Sequence, residues 1–119
     1  MAKHLFLSFF KKSFKFKGRT SPSVYWMTHL VLWGLEFTLN LFGTLFPFIE
    51  KVAFVWVLIL IIPSASMMIR RLHDTNRSAW HLLYFFIPIF GQIALLIFLI
   101  RSGDSKANKY GPEPEKLSF

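Results

Sequence analysis

From Val52 to Ile69 the chain runs through eighteen residues without a formal charge, and from Trp80 to Ile100 through another twenty-one. A third block, Val24 to Phe46, carries one charge, Glu36, in twenty-three residues. At about 1.5 Å per residue, roughly 20 helical residues cross the ~30 Å hydrocarbon core of a bilayer. Apolar residues gathered into blocks of that length, instead of alternating with charge, leave few folds available in water. The chain has 119 residues, enough for one domain, and 54% of them are hydrophobic, 15 being phenylalanine. A domain this small keeps too much of its surface wet to hide such a composition. The expected fold is an all-α integral membrane protein with three transmembrane helices, about 24–46, 52–69 and 80–100.

Ahead of the first block, residues 1–19 place Phe6, Phe9, Phe10 and Phe14 at helical spacing, with Ser8, Lys11, Lys12 and Lys15 opposite. The segment is too short to span. It reads as an amphipathic helix lying in the interface, with packing on the protein's own surface as the alternative. Lysines interrupt its phenylalanines, so it does not read as a signal peptide. Gly18 ends it, and Ser21, Pro22 and Ser23 mark a turn or the start of the next helix. Tyr25 and Trp26 open the first span as interfacial anchors. Residues 47–51 read as a tight turn. Pro63 predicts a kink in the second span, with Ser64 and Ser66 placed to satisfy freed backbone groups. Pro88 and Gly91 interrupt the third. Residues 20–101 thus form the transmembrane domain, and 102–119 form a polar tail.

The net charge of +8 does not point to nucleic acid, because the cations flank apolar segments and form no stripe along a polar helix. They serve better as topology signals. With the N-terminus cytoplasmic, six positive residues before Val24 and three in the 70–79 loop lie inside, against Lys51, Arg101, Lys106, Lys109 and Lys116 outside. That count favours N-terminus in and C-terminus out. A re-entrant third segment, bent at Pro88 and Gly91, would instead return the tail to the cytoplasm.

The densest polar cluster, Arg70-Arg71-Leu72-His73-Asp74-Thr75-Asn76-Arg77-Ser78, sits between two apolar blocks. Its arginines fix a cytoplasmic loop, and a guanidinium fork also matches lipid phosphate or a phosphorylated partner. Asp74 is placed either to pair with an arginine or to cap the next helix, for which Thr75, Asn76 and Ser78 compete. Catalysis is the weakest reading. His73 and Asp74 are neighbours and diverge by about 100° on a helix. No nucleophile elbow, phosphate loop or dinucleotide fingerprint occurs. Histidines His4, His29, His73 and His81 lack zinc spacing, cysteine is absent, and no cofactor or metal is expected. Within the spans, Glu36 and Gln92 lie at similar depth, and His29 shares the face of Glu36. A Glu36–Gln92 hydrogen bond is the simplest arrangement, and a proton or ion path through His29, Glu36 and Gln92 is the functional one.

Three motifs carry a family resemblance along nearly the whole chain. These are Phe16, Gly18-Arg19 and Tyr25-Trp26; the run Arg70 to Trp80, RRLHDTNRSAW; and Gly103 with Asn108-Lys109-Tyr110-Gly111-Pro112-Glu113-Pro114, preceded by Ile87-Pro88-Ile89-Phe90-Gly91. The chain resembles the small bacterial inner-membrane proteins of the YhaH/YhaI type, classed as a domain of unknown function (DUF805). It departs from them at Ser21, Pro22 and Val24, the last standing where the family has a glutamate, and at Asp104 and Lys106 in the tail. The resemblance implies a multi-pass bacterial inner-membrane protein with a polar surface built from the three motifs, and brings no established activity.

The expected function is non-enzymatic. Arg19, Arg70, Arg71, His73, Asp74, Arg77 and Asn108 form a cytoplasmic surface that docks anionic lipid or a partner protein. The alternative is an oligomeric channel or transporter component built on His29, Glu36 and Gln92. Membrane lipids are the expected partners, with self-association or another membrane protein next.

Overall fold

A computed structural model describes residues 2–114 of the chain. The end of the expected tail, residues 115–119 with Lys116, lies outside them, as do the side chains of Lys3 and His4. Every element among the described residues is helical: α1 (Ala2–Lys11), α2 (Pro22–Gly43), α3 (Pro47–Asp74), a 3-10 helix (Ala79–Phe86) and α4 (Phe90–Ile100).

Helix α2 starts where Ser21 and Pro22 predict. Ser21 is the N-cap, its hydroxyl accepting from Val24 N, and Pro22 takes the first helical positions, where a missing N–H costs nothing. Its 22 residues reach about 33 Å. A three-residue turn leads into α3, which begins at Pro47; the expected tight turn at 47–51 is therefore already helix. Helix α3 continues through Pro63 to Asp74 and takes in five residues expected to be loop. The Ser66 hydroxyl sits 3.0 Å from Pro63 O and 3.1 Å from Lys12 O, tying the interrupted stretch to the end of α1.

Helix α3 is long and apolar enough to cross a membrane, and only 22% of its most apolar stretch is buried. A core helix in a water-soluble protein would be mostly covered. Phe37, Leu41, Phe48, Phe54 and Ile61 likewise face outward from α2 and α3, a surface suited to hydrocarbon.

The third expected span is corrected. Residues 79–100 do not form one helix but two limbs, eight residues of 3-10 helix and eleven of α-helix. At ~2.0 and ~1.5 Å per residue both limbs measure about 16 Å, half of a hydrocarbon core. Between them Pro88 offers no N–H, and Ile89 holds φ 64, ψ −66 while Phe90 N donates to Pro88 O at 2.7 Å, a tight γ-turn. The limbs fold together, His81 and Tyr84 each meeting Phe98 with ring centroids 5.8 Å apart. At Gly91 any Cβ would overlap the carbonyl oxygen of Tyr84, so only glycine allows this approach. The far end of α4 returns to the first turns of α2 and the last turns of α3: Trp26 Nε1 and Arg71 Nε both donate to Leu99 O, at 3.1 and 2.9 Å.

Helix α1 buries Leu5 and Phe9, with Phe6 stacked on Trp56 of α3 and Phe9 edge-on to His29 of α2. Phe6, Phe9 and Phe10 thus pack against α2 and α3, while Phe14, of the same expected face, lies beyond the helix and is exposed. Phe9, Tyr25, Leu32, Met67, Leu72, Leu95 and Leu99 make up the buried core.

Candidate functional site

The polar end of α3 is finished by a Schellman motif. Arg77 N donates to Leu72 O at 3.0 Å and Asn76 N to His73 O at 2.9 Å, with Asn76 at φ 61. Asparagine tolerates this left-handed conformation better than most residues. Asn76 therefore ends α3; it does not cap the next helix. Because α3 stays helical to Asp74, Arg71 and Asp74 lie one turn apart and pair with each other, while His73 turns to Gly18 and Tyr110 and Arg70 to Ser66 O.

Asp74 is the hub. Its Oδ1 takes Arg19 Nε at 3.0 Å and Nη2 at 2.9 Å, and its Oδ2 takes Arg71 Nη1 at 2.9 Å. All three side chains are essentially inaccessible, at 0–2% exposure. A lone buried carboxylate would be costly; two guanidinium forks supply the countercharge and the donors.

Each arginine then reaches for backbone. Arg71 donates to Leu99 O, Arg101 O and Thr20 O, so one guanidinium joins α3 to the end of α4 and the start of α2. Arg19 donates to Lys106 O at 2.8 Å, Gly111 O at 3.2 Å and Asp104 O, which wraps the tail around it. Asp104 N donates to Asp74 O at 2.8 Å, and Gly103 leaves no room for a Cβ beside the Asp74 carboxylate. The tail closes on itself where Asn108 Oδ1 accepts Tyr110 N at 2.9 Å, an Asx turn ending at Gly111 with φ 133. Asn108 Nδ2 lies 3.0 Å from His73 O and 2.8 Å from Asp104 Oδ2. His73 stacks on Tyr110 and its Nδ1–H donates to Gly18 O at 3.0 Å.

Of the seven residues expected to make a docking surface, Arg19, Arg71, His73, Asp74 and Asn108 meet in this internal network. Arg77 lies beside it with its guanidinium 4.1 Å above the Phe98 ring, closing the hairpin. Arg70 stands apart, its Nε donating to Ser66 O at 3.3 Å. The sequence reading missed the acceptors, Leu99 O, Arg101 O, Asp104 O, Lys106 O and Gly111 O, since carbonyls leave no mark in a sequence. The turn residues Asn108 and Gly111 were the available signal.

The intramembrane trio does not assemble. His29 is buried, with Nδ1 3.0 Å from Tyr25 O and its ring stacked on Tyr25. Glu36 Oε1 accepts from Asn40 Nδ2 at 2.7 Å, one turn along the same helix. Gln92 Nε2 donates to Phe85 O at 3.3 Å across the hairpin. The expected Glu36–Gln92 bond is replaced by these local ones because the break at Pro88 draws Gln92 toward its own preceding limb.

Beside the hub, a cleft of 230 Å³ is lined by Ser21, Asp74, Ser102, Asp104, Ser105 and Glu113 among others. Its carboxylates repel anions. Among the described residues, no group of three His, Cys, Asp or Glu side chains is placed to share a metal ion.

Comparison with known proteins agrees with this architecture of motifs. The family model described as "Protein of unknown function (DUF805)" matches residues 13–112, which takes in the first two motifs and the third as far as Pro112. The inner membrane protein YhaI of Escherichia coli K12 is 36% identical over 115 residues, covering 92% of this chain and 94% of that protein. The inner membrane protein YhaH of the same organism is 30% identical over 115 residues, covering 92% and 95%. No solved structure matches the chain. Similarity of this extent, running through the hub, the hairpin and the tail, places the chain in the DUF805 family of inner membrane proteins.

Proposed function

We propose that this is a non-enzymatic, multi-pass inner-membrane protein whose polar end faces the cytoplasm and docks anionic lipid there. One observation carries the reading. Because the 79–100 hairpin returns, the cations of three distant segments gather at one end: Lys11, Lys12, Lys15, Lys17 and Arg19; Arg70, Arg71 and Arg77; Arg101, Lys106 and Lys109. Those eleven stand against Asp74, Asp104 and Glu113, while the opposite end among the described residues holds Glu50 and Lys51. An excess of Lys and Arg marks the cytoplasmic side, and each cation near an anionic leaflet contributes about 1 kcal/mol of attraction.

In this reading α2 and α3 cross the bilayer, the hairpin enters and leaves on the cytoplasmic side, and the tail stays with the N-terminus. The C-terminus is then inside, the re-entrant alternative of the charge count. The buried Arg19–Asp74–Arg71 hub holds the three segments in a fixed shape and presents lysines outward. Its donors are taken by backbone carbonyls, which supports a scaffold more than a reaction centre.

The test is reconstitution into mixed bilayers with spin-labelled phosphatidylglycerol or phosphatidylethanolamine. Selective, salt-sensitive association of phosphatidylglycerol is expected, weakened when Lys15, Lys17, Lys106 and Lys109 become glutamine. Equal association of the two lipids at low salt sinks the proposal.

A further inference from the structure

Three arginines are buried at this end, and two of them have an acid. Arg19 and Arg71 share Asp74. Arg70 is only 3% exposed, yet no carboxylate among the described residues pairs with it. Its Nε donates to Ser66 O, and its Nη2 is buried with no hydrogen-bond partner. A guanidinium stays charged under all ordinary conditions. Burying it without a counter-ion, and leaving one of its donors unmet, is costly on both counts.

The chain segment that packs over Arg70 is rich in lysine. The segment between α1 and α2 climbs over this face of α3: Lys12 O meets Ser66 Oγ one turn below, Thr20 N donates to Arg70 O at 3.0 Å, and Gly18 O takes the His73 imidazole one turn above. Lys12, Lys15 and Lys17 on that segment are exposed. The three acids of this end, Asp74, Asp104 and Glu113, line the cleft on the tail side instead.

We infer that Arg70 is the floor of a phosphate site, filled by the headgroup phosphate of an anionic phospholipid that enters between α3 and the α1–α2 segment. Nη2, buried in the lipid-free chain, becomes reachable as the α1–α2 segment parts from α3 and then donates to a phosphate oxygen, with Lys15 and Lys17 at the rim. A charge-assisted bond in a water-poor site holds far better than a surface contact, so this lipid is retained at salt concentrations that strip the others. Arg70 also ends the apolar stretch of α3 at Ile69, the depth at which headgroup phosphates lie. The inference rests on the docking reading above and adds a single, defined site to it.

The experiment uses the full chain, delipidated in mild detergent, with native mass spectrometry counting bound lipid. One phosphatidylglycerol is expected to remain bound at high salt, phosphatidylethanolamine to be lost, and Arg70→Gln to weaken phosphatidylglycerol by about tenfold or more. Arg70→Lys, which keeps the charge and loses the fork, is expected to recover part of that. Inorganic phosphate is the second probe; displacement of the lipid by free phosphate at micromolar concentration would overturn the assignment to a lipid. Should Arg70→Gln fail to fold, hydrogen exchange on the unaltered protein decides: phosphatidylglycerol must protect residues 12–20, and absence of that protection overturns the site. Salt-sensitive enrichment in bilayers with unchanged high-salt binding in Arg70→Gln refutes this site alone. Loss of all preference for phosphatidylglycerol refutes the docking reading too.

Discussion

His73 and Tyr110 lie face to face, their ring centroids 3.9 Å apart and their planes 2° from parallel. The contact joins the last turn of α3 to the far end of the tail. Burial pushes the His73 imidazole below its ordinary value; the hydrogen bond to Gly18 O acts upward and Lys109 downward. The docked tail therefore holds neutral His73, and the undocked state binds the proton more readily. That contribution is complete above about pH 6.5, the ordinary value, and is lost as pH falls below it. Hydrogen exchange of residues 102–114 should accelerate between pH 7.5 and 5.5 after correction for intrinsic rates. In Tyr110→Ala the acceleration should already be present at pH 7.5. Protection that is flat or rises with acid contradicts this role.

Asp74→Asn is nearly the same shape and leaves two guanidiniums buried around a neutral group. Breaking a buried pair in this way costs about 3–5 kcal/mol, seen as a large fall in the detergent melting temperature. Asp104→Asn, at an exposed site, should cost about 1 kcal/mol or less.

Arg19→Lys keeps the charge and loses the fork that spans Asp74 and three tail carbonyls. A loss of about 2 kcal/mol is expected. Proteolysis should reveal it first in the tail, with α2 and α3 still protected. Equal protection of the tail in both forms would show that Arg19 does not hold it.

The two crowded glycines should separate the hairpin from the hub. A methyl at Gly91 collides with backbone, the Tyr84 carbonyl, which cannot swing aside; at Gly103 it meets the Asp74 side chain. The chain has no cysteine, so a Tyr84→Cys/Phe98→Cys pair gives a clean cross-link report on the hairpin. Gly91→Ala should abolish that cross-link, and Gly103→Ala should leave it intact while loosening the tail. Loss in both variants would mean the hairpin and hub are not independent, and loss in neither would mean that Gly91 does not set the approach of the two limbs.

Much of this was legible in the chain. Ser21-Pro22 gave the start of α2 because capping chemistry is local, and the apolar blocks gave α2 and α3 because lipid solubility is a matter of composition. Residues 80–100 misled for the same reason. Hydropathy scores a segment broken into two limbs and one unbroken helix alike, and only Pro88 and Gly91 hinted at the difference. The 70–74 run looked like a loop because charge suggests solvent; it is helix because Arg19, Leu99, Gly103 and the tail cover it. The pairing of Arg19 with Asp74, 55 positions apart, has no local signature. Glu36 and Gln92 matched in depth only along unbroken spans, and the break at Pro88 gives Gln92 a local partner instead.

The two short limbs of 79–100 have a consequence for the membrane itself. Together with α1 they add cross-section beside one half of the α2–α3 pair and none beside the other half. On the proposed topology, with α2 and α3 crossing the bilayer, such a molecule is wedge-shaped and displaces more area from one leaflet than from its opposite. Crowded together, such wedges impose spontaneous curvature, and a sheet that is already bent toward their narrow side accommodates them with less elastic strain.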